Sequence, residues 1–287
     1  MKDLKVNDFL FEWGTRTYVM GILNLTPDSF SGDGLADVEN KVVLEQARRF
    51  VEAGVDILDV GGESTRPGAA PVSAQEEIDR VIPIIKSLAA EFETLISIDT
   101  YKAAVAKVAL ESGADIVNDV WGFRADPDLA KVSAAAKVPV ILMHNRSTPN
   151  NAAIREQLGG RYVGIEYDDL LQDVIKELLE SVELAHQAGI PDNLIVLDPG
   201  IGFGKTVEQN LQLLNQLDEI RLLGYPVLLG PSRKSFIGYT LDLPLDDRIE
   251  GTAAAVSVGI VRGADIVRVH DVSEMIRIAR MTDAIVR

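Results

Sequence analysis

Residues 53–61 read Ala53-Gly54-Val55-Asp56-Ile57-Leu58-Asp59-Val60-Gly61, and the same arrangement returns as Ser112-Gly113-Ala114-Asp115-Ile116-Val117-Asn118-Asp119 and as Arg262-Gly263-Ala264-Asp265-Ile266-Val267-Arg268-Val269-His270. A glycine in the left-handed conformation ends a helix, and the Asp-Ile that follows enters a strand, so each copy marks a helix-to-strand joint. Gly189 and Gly224 occupy the same place before two more apolar runs. Eight such runs fall at 18–25, 56–61, 95–100, 116–120, 140–144, 194–200, 227–232 and 266–270. The segments between them carry helical period, for instance 38–53, 74–92, 165–188 and 207–223. A strand and a helix repeated eight times is the pattern of an α/β TIM (β/α)8 barrel, here a single domain over 1–287.

Composition agrees with this reading. Apolar residues make up 47% of the 287 and aromatics only 6%, so the core is built from Val, Ile, Leu and Ala, as barrel interiors are. The chain has no cysteine, which excludes disulfides and thiolate metal sites and fits a cytoplasmic protein. A formal charge of −16 disfavours nucleic acid and anionic lipid as partners. No apolar stretch approaches the roughly 20 residues of a membrane span, and residues 1–14 do not read as a signal peptide. Ser73 with Glu76 gives a capping-box pattern, Thr206 precedes another helix, and Pro83 is expected to kink the second. Residues 24–37, 61–72 and 145–164 have the least regular pattern; each follows a strand, on the face where barrel enzymes assemble their sites.

Nearly every apolar run stops at a polar residue. Asp99, Asn118 and Asp198 end three different strands and can converge on a heterocycle with an amino group beside a ring N–H, because a carboxylate accepts two parallel hydrogen bonds from such an edge. Lys234, in Gly230-Pro231-Ser232-Arg233-Lys234-Ser235-Phe236, follows strand seven, while Arg268 and His270 lie two apart on strand eight and point the same way. Barrel enzymes commonly bind phosphate after these two strands. Asn24, at the end of strand one, can give one oxygen ligand to a Mg²⁺ that keeps its waters and phosphate oxygens. The run 199–206, Pro-Gly-Ile-Gly-Phe-Gly-Lys-Thr, fails both the Walker A and dinucleotide spacings, and reads as backbone brought close to a flat ligand beside Asp198 and Phe203. Asp59, Glu63 and His144 read equally well as interior hydrogen-bonding groups or as substrate contacts.

Seven strings, MGILNLTPDSFSGDG (20–34), DILDVGGESTRPGA (56–69), SIDT (97–100), IVNDV (116–120), LDPGIGFGKT (197–206), GPSRKSF (230–236) and RVHDV (268–272), closely resemble those of the dihydropteroate synthases, in the same order. The resemblance implies a homodimeric enzyme of folate biosynthesis that joins 6-hydroxymethyl-7,8-dihydropterin pyrophosphate to 4-aminobenzoate. It implies that Asp99, Asn118, Asp198 and Lys234 hold the pterin with Met143 and Gly230 lining its slot, and that Arg268 and His270, with Asn24 and Mg²⁺, hold the pyrophosphate. Thr65, Arg66, Pro67, Phe203 and Ser235 would shape the aminobenzoate pocket, and the helix at 251–259, rich in small residues, would suit the dimer contact. Lys234, Asp198, Arg268, His270 and Asp33 are the catalytic set this implies, with Asp28 the alternative to Asp33. In the family the first loop ends Ser-Asp-Gly-Gly, whereas Ser31-Gly32-Asp33-Gly34 stands here, and Ser147 replaces a glycine after the fifth strand. Two rivals remain open at this point: a methyltetrahydrofolate-binding methyltransferase domain, and a pterin-binding paralogue that does not catalyse.

Overall fold

The computed structural model describes the chain except for residues 1, 26–35, 65–70, 148–151, 156–158 and 163–164. Eight parallel strands, β1 (Tyr18–Asn24), β2 (Ile57–Gly61), β3 (Leu95–Asp99), β4 (Ile116–Asp119), β5 (Val140–Met143), β6 (Ile195–Asp198), β7 (Leu228–Leu229) and β8 (Ile266–Val269), hydrogen-bond in the order β6-β5-β4-β3-β2-β1-β8-β7. A parallel bridge between Leu197 and Val227 joins the two ends of that order and closes the barrel. The joint glycines take positive φ as their positions demand: +93° at Gly54, +113° at Gly113 and +97° at Gly263.

Strand side chains alternate between faces, and here the alternation sorts chemistry. Outward residues Val19, Leu58, Ile96, Val117, Leu142, Leu197, Leu229 and Val267 pack into the core beneath the helices. Inward residues at the amino ends, Met20, Ile57, Leu95, Ile116, Ile141, Val196, Leu228 and Ile266, form an apolar floor. Inward positions further toward the carboxyl ends hold Asp59, Ser97, Asp99, Asn118, Asp198 and Arg268. An antiparallel hairpin of Leu4–Val6 with Phe9–Phe11, which the sequence pattern did not suggest, covers the floor from below with Leu4, Val6 and Phe11 buried. Polar groups are thereby confined to the other end of the lumen.

Pro83 lies inside the helix Ala74–Glu91, as expected, and the face of Val81, Ile82, Ile84, Ile85 and Leu88 is buried on either side of its missing N–H. The helices differ from expectation in three places. The reciprocal capping box forms at Thr206 with Gln209; at Ser73 only the serine caps, since Glu76 turns to Arg80. The helix expected from 165 begins at Leu170 behind an Asp169 cap, and the one expected over 207–223 divides into Val207–Asn215 and Leu217–Arg221. Residues 145–164 include an antiparallel hairpin, Ala152–Arg155 with Gly159–Tyr162, where only loop was expected. Among the described residues no helix is long and apolar enough to cross a membrane.

Candidate active site

The polar layer forms because strand register places unlike strands at one height. Asn24 pairs with Gly61, Gly61 with Asp99, Asp99 with Asn118, and Asp198 with Met143. Gly230 follows β7 beside Arg268, whose Cβ lies 3.8 Å from where a glycine side chain would begin. The lumen's upper end thus brings together Asn24, Asp99, Asn118, Met143, Asp198, Gly230 and Arg268, all expected at one site. Asp33 and Asp28 of the first loop, and Thr65, Arg66 and Pro67 of the second, lie outside the described residues.

Arg268 reaches across this space. Its Nε donates to Asp59 Oδ2 and its Nη2 to Asp99 Oδ2, both at 2.6 Å. Burial pulls the Arg268 pKa down, but the two carboxylates outweigh it and the net shift is upward, so the guanidinium stays charged. The cations after strands seven and eight are therefore met in part by the protein's own acids, where the sequence left an outside anion to neutralise them. Asp59 is fully buried, accepts also from Asn118 Nδ2 at 3.4 Å, and its Oδ1 has no partner among the described residues. It holds up the site from inside, which only its place in the alternation of β2 could have suggested. Burial pushes the Asp99 carboxyl up to about 7 against the pull of Arg268. Burial raises Asp198 too, opposed by Lys234.

Lys234 precedes the helix Ser235–Leu241 and turns back over the glycine loop that follows β6. Its Nζ donates to the carbonyl of Ile201 and lies 4.4 Å from the centroid of the Phe203 ring. Burial lowers its pKa to about 8, with Asp198 resisting. His270 Nδ1 lies 3.0 Å from Ser232 Oγ, which also accepts from the His270 backbone N–H at 3.1 Å, so the β7 loop sets that imidazole. Arg233, in the left-handed region at φ 56°, pairs with Asp271 through both ends of its guanidinium and ties the same two loops.

The glycine loop is tightly fixed. Gly200, Gly202 and Gly204 have φ of +70°, +84° and +62°, and a Cβ on Gly200 would stand 1.8 Å from the carbonyl oxygen of His144. Gly200 N donates to Asp198 Oδ1 at 2.7 Å, Gly202 N to Asn210 Oδ1 at 2.5 Å, and the Tyr167 hydroxyl to the Gly204 carbonyl at 2.9 Å. His144 proves to be interior: Nδ1 faces Lys205 Nζ at 2.9 Å and Nε2 lies 3.2 Å from Glu177 Oε2, close but not aligned for a hydrogen bond. Glu63, partly buried just past β2, is also a hydrogen-bonding group, accepting from Lys102 Nζ at 2.5 Å and from the Val72 backbone at 3.1 Å, which clasps the two stems of the second loop.

Residues 20–270 match the family model described as pterin binding enzyme. The dihydropteroate synthase of Clostridium beijerinckii is 51% identical over 99% of this chain and 100% of its own length. The chain belongs to the dihydropteroate synthase family of pterin-binding enzymes. A solved dihydropteroate synthase from Clostridium difficile, crystallised in the presence of pteroic acid, superposes with a TM-score of 0.88 at 48% identity, over 96% of this chain and 99% of that one. The Xanthomonas albilineans dihydropteroate synthase, solved with 4-aminobenzoic acid, gives 0.87 at 38% identity, over 99% of this chain and 97% of that one. A dihydropteroate synthase must accept a pterin, a diphosphate and an aromatic amine at one mouth, and the polar end of this lumen offers a guanidinium paired with a carboxylate and, over the loop after β6, an ammonium against an aromatic ring.

Proposed function

We infer that this chain condenses 6-hydroxymethyl-7,8-dihydropterin pyrophosphate with 4-aminobenzoate, releasing pyrophosphate and forming dihydropteroate for folate biosynthesis. The observation that carries this reading is the gripping of Asp99 by Arg268 across a lumen whose same end holds Asn118 and Asp198, with Lys234 over the loop after β6 and His270 against Ser232 after β7. The carboxylates and the amide suit the amino and N–H edge of the pterin, while the cations suit the diphosphate.

The bond between the pterin methylene and the pyrophosphate oxygen breaks as the amine nitrogen forms its bond to that carbon, and the amine then gives up a proton. The electron-rich ring lets departure run ahead of attack, so the carbon becomes cation-like. Arg268, His270 and Lys234 stabilise the charge that grows on the leaving oxygen, and they are held ready by Asp59, Ser232 and the Ile201 carbonyl. Such a cation needs no strong base to be attacked. Phe203 and Ser235, beside Lys234, would flank the amine together with Thr65, Arg66 and Pro67, and a carboxylate of the first loop, Asp33 or Asp28, would face the cation. Pterin pyrophosphate binds first in this scheme.

Asn24 is the exposed last residue of β1 at the lumen mouth, and one hard oxygen donor fits Mg²⁺, which takes its remaining positions from water and phosphate. When bound, Mg²⁺ would neutralise charge on the diphosphate. A homodimer is supported by exposed Val258 and Val261 on the helix Ile249–Val261 and Met281 and Ile285 on its neighbour Val272–Val286. The glycines of the first helix do not supply that contact, since Gly251 and Gly259 pack inward against Ile237 and Leu229. A cytoplasmic location rests on the absence of cysteine.

The test is incubation of the purified protein with pterin pyrophosphate, Mg²⁺ and 4-aminobenzoate. Dihydropteroate is the expected product; methyl transfer without condensation, or binding without turnover, would overturn the reading.

A further inference from the structure

Lys205 has no part in the chemistry above, yet its side chain is 2% exposed beneath the active-site loop. Nζ curls back into its own loop and donates to the carbonyls of Gly200 at 2.9 Å and Phe203 at 3.0 Å. A third contact, at 2.9 Å, crosses to His144 Nδ1 on the segment after β5. Three acceptors around one nitrogen match the three donors of an ammonium. An apolar side chain in its place would orphan the Phe203 carbonyl and an imidazole nitrogen, and would leave the Gly200 carbonyl with only the Phe203 N–H as donor.

The same loop presents its other side to the reacting centre. The Ile201 carbonyl and the Phe203 ring, which lie between the two carbonyls that Lys205 grips or at their end, are the groups that contact Lys234. A Cβ on Gly202 would come within 2.5 Å of Lys234 Cδ, so the loop backbone itself lies against that side chain. Two lysines therefore hold one loop between them, Lys205 from below and Lys234 from above. His144 carries the hold onward: Glu177, beside its Nε2, is bound by Arg146 Nε at 2.6 Å and Arg124 Nη1 at 3.0 Å.

We propose that Lys205 is a positioning residue that fixes Phe203 and the Ile201 carbonyl against Lys234, and so sets the place of the aromatic amine relative to the pterin. The proposal rests on the dihydropteroate synthase reading. It bears on the two substrates unequally: Phe203 is gripped through its own carbonyl, Asp198 and Lys234 of the pterin set meet the loop at Gly200 N and the Ile201 carbonyl, and the set's other two, Asp99 and Asn118, stand apart on β3 and β4. Loss of the lysine frees the Phe203 carbonyl while leaving those two residues in register.

The experiment is steady-state kinetics of wild type, Lys205→Met and His144→Leu with each substrate varied in turn, alongside thermal unfolding. Lys205→Met should raise KM for 4-aminobenzoate about tenfold while KM for pterin pyrophosphate changes less than about threefold, and His144→Leu should move the same ratio in the same direction by less. Equal changes in both KM values, a fall in kcat alone that tracks the lost folded fraction, or loss of the fold in both variants would make Lys205 a folding residue and overturn the proposal. An inactive wild type would instead sink the underlying function.

Discussion

The guanidinium of Arg268 on β8 donates to the carboxylate of Asp99 on β3 at 2.6 Å, although β1 and β2 stand between those strands in the sheet. The contact crosses the lumen and makes the leaving-group side and the pterin side of the site one electrostatic unit. Asp59, gripped by the same guanidinium, is 0% exposed and would be left as an uncompensated buried charge without it. Arg268→Met should cost about 3–5 kcal/mol in urea unfolding as well as activity. Adding Asp59→Asn should restore much of the stability and none of the condensation. A single variant as stable as wild type would contradict this coupling.

The pH profile of kcat/KM for pterin pyrophosphate should be bell-shaped. Below about 7 Asp99 gains a proton and ceases to be a two-way acceptor; above about 8 Lys234 loses its charge. Asp99→Asn should remove the acid limb, and Lys234→Arg should push the alkaline limb out of range. A profile flat from about pH 6 to about pH 9 would show that neither group governs binding and chemistry.

His144 gives a separate signature in stability. Burial lowers its pKa from 6.5 to about 3, with Lys205 adding to the shift, so the unfolded chain takes up a proton that the folded one refuses. Stability from this group is therefore lost as pH falls from 6.5 toward 3. Asp99 and Asp119, whose carboxyls burial raises to about 7 and about 6, act in the opposite sense over the overlapping range, so wild type alone hides the effect. The advantage of wild type over His144→Gln should shrink by about 2 kcal/mol between about pH 6.5 and about pH 5. Denaturant titrations at the two pH values measure it; a constant difference would mean that His144 titrates normally.

Two glycines separate backbone cost from close approach. Gly189, at φ +94° with nothing among the described residues within 4 Å of where a Cβ would stand, should tolerate alanine at about 1–2 kcal/mol. Gly200→Ala adds to the same backbone cost an oxygen 1.8 Å away, and should lose more than about 3 kcal/mol together with condensation activity. Equal costs in thermal and urea unfolding would show that the loop can move off His144.

The barrel, its eight strands and the polar residues at their ends were legible in the sequence because period-two alternation and joint glycines are local properties that each stretch states for itself. The helix over 207–223 was misread for the same reason: apolar period alone does not show that Gln216 breaks it. What only tertiary structure decided is which side chains complete one another across the lumen. Asp59 and Arg268 are separated by 209 positions, and Lys205 and His144 by 61, so neither pairing leaves a trace in nearby sequence. The hairpin under the floor was equally invisible, since the apolar side chains of Leu4, Val6 and Phe11 gain a reason to be buried only when eight strand beginnings have gathered above them.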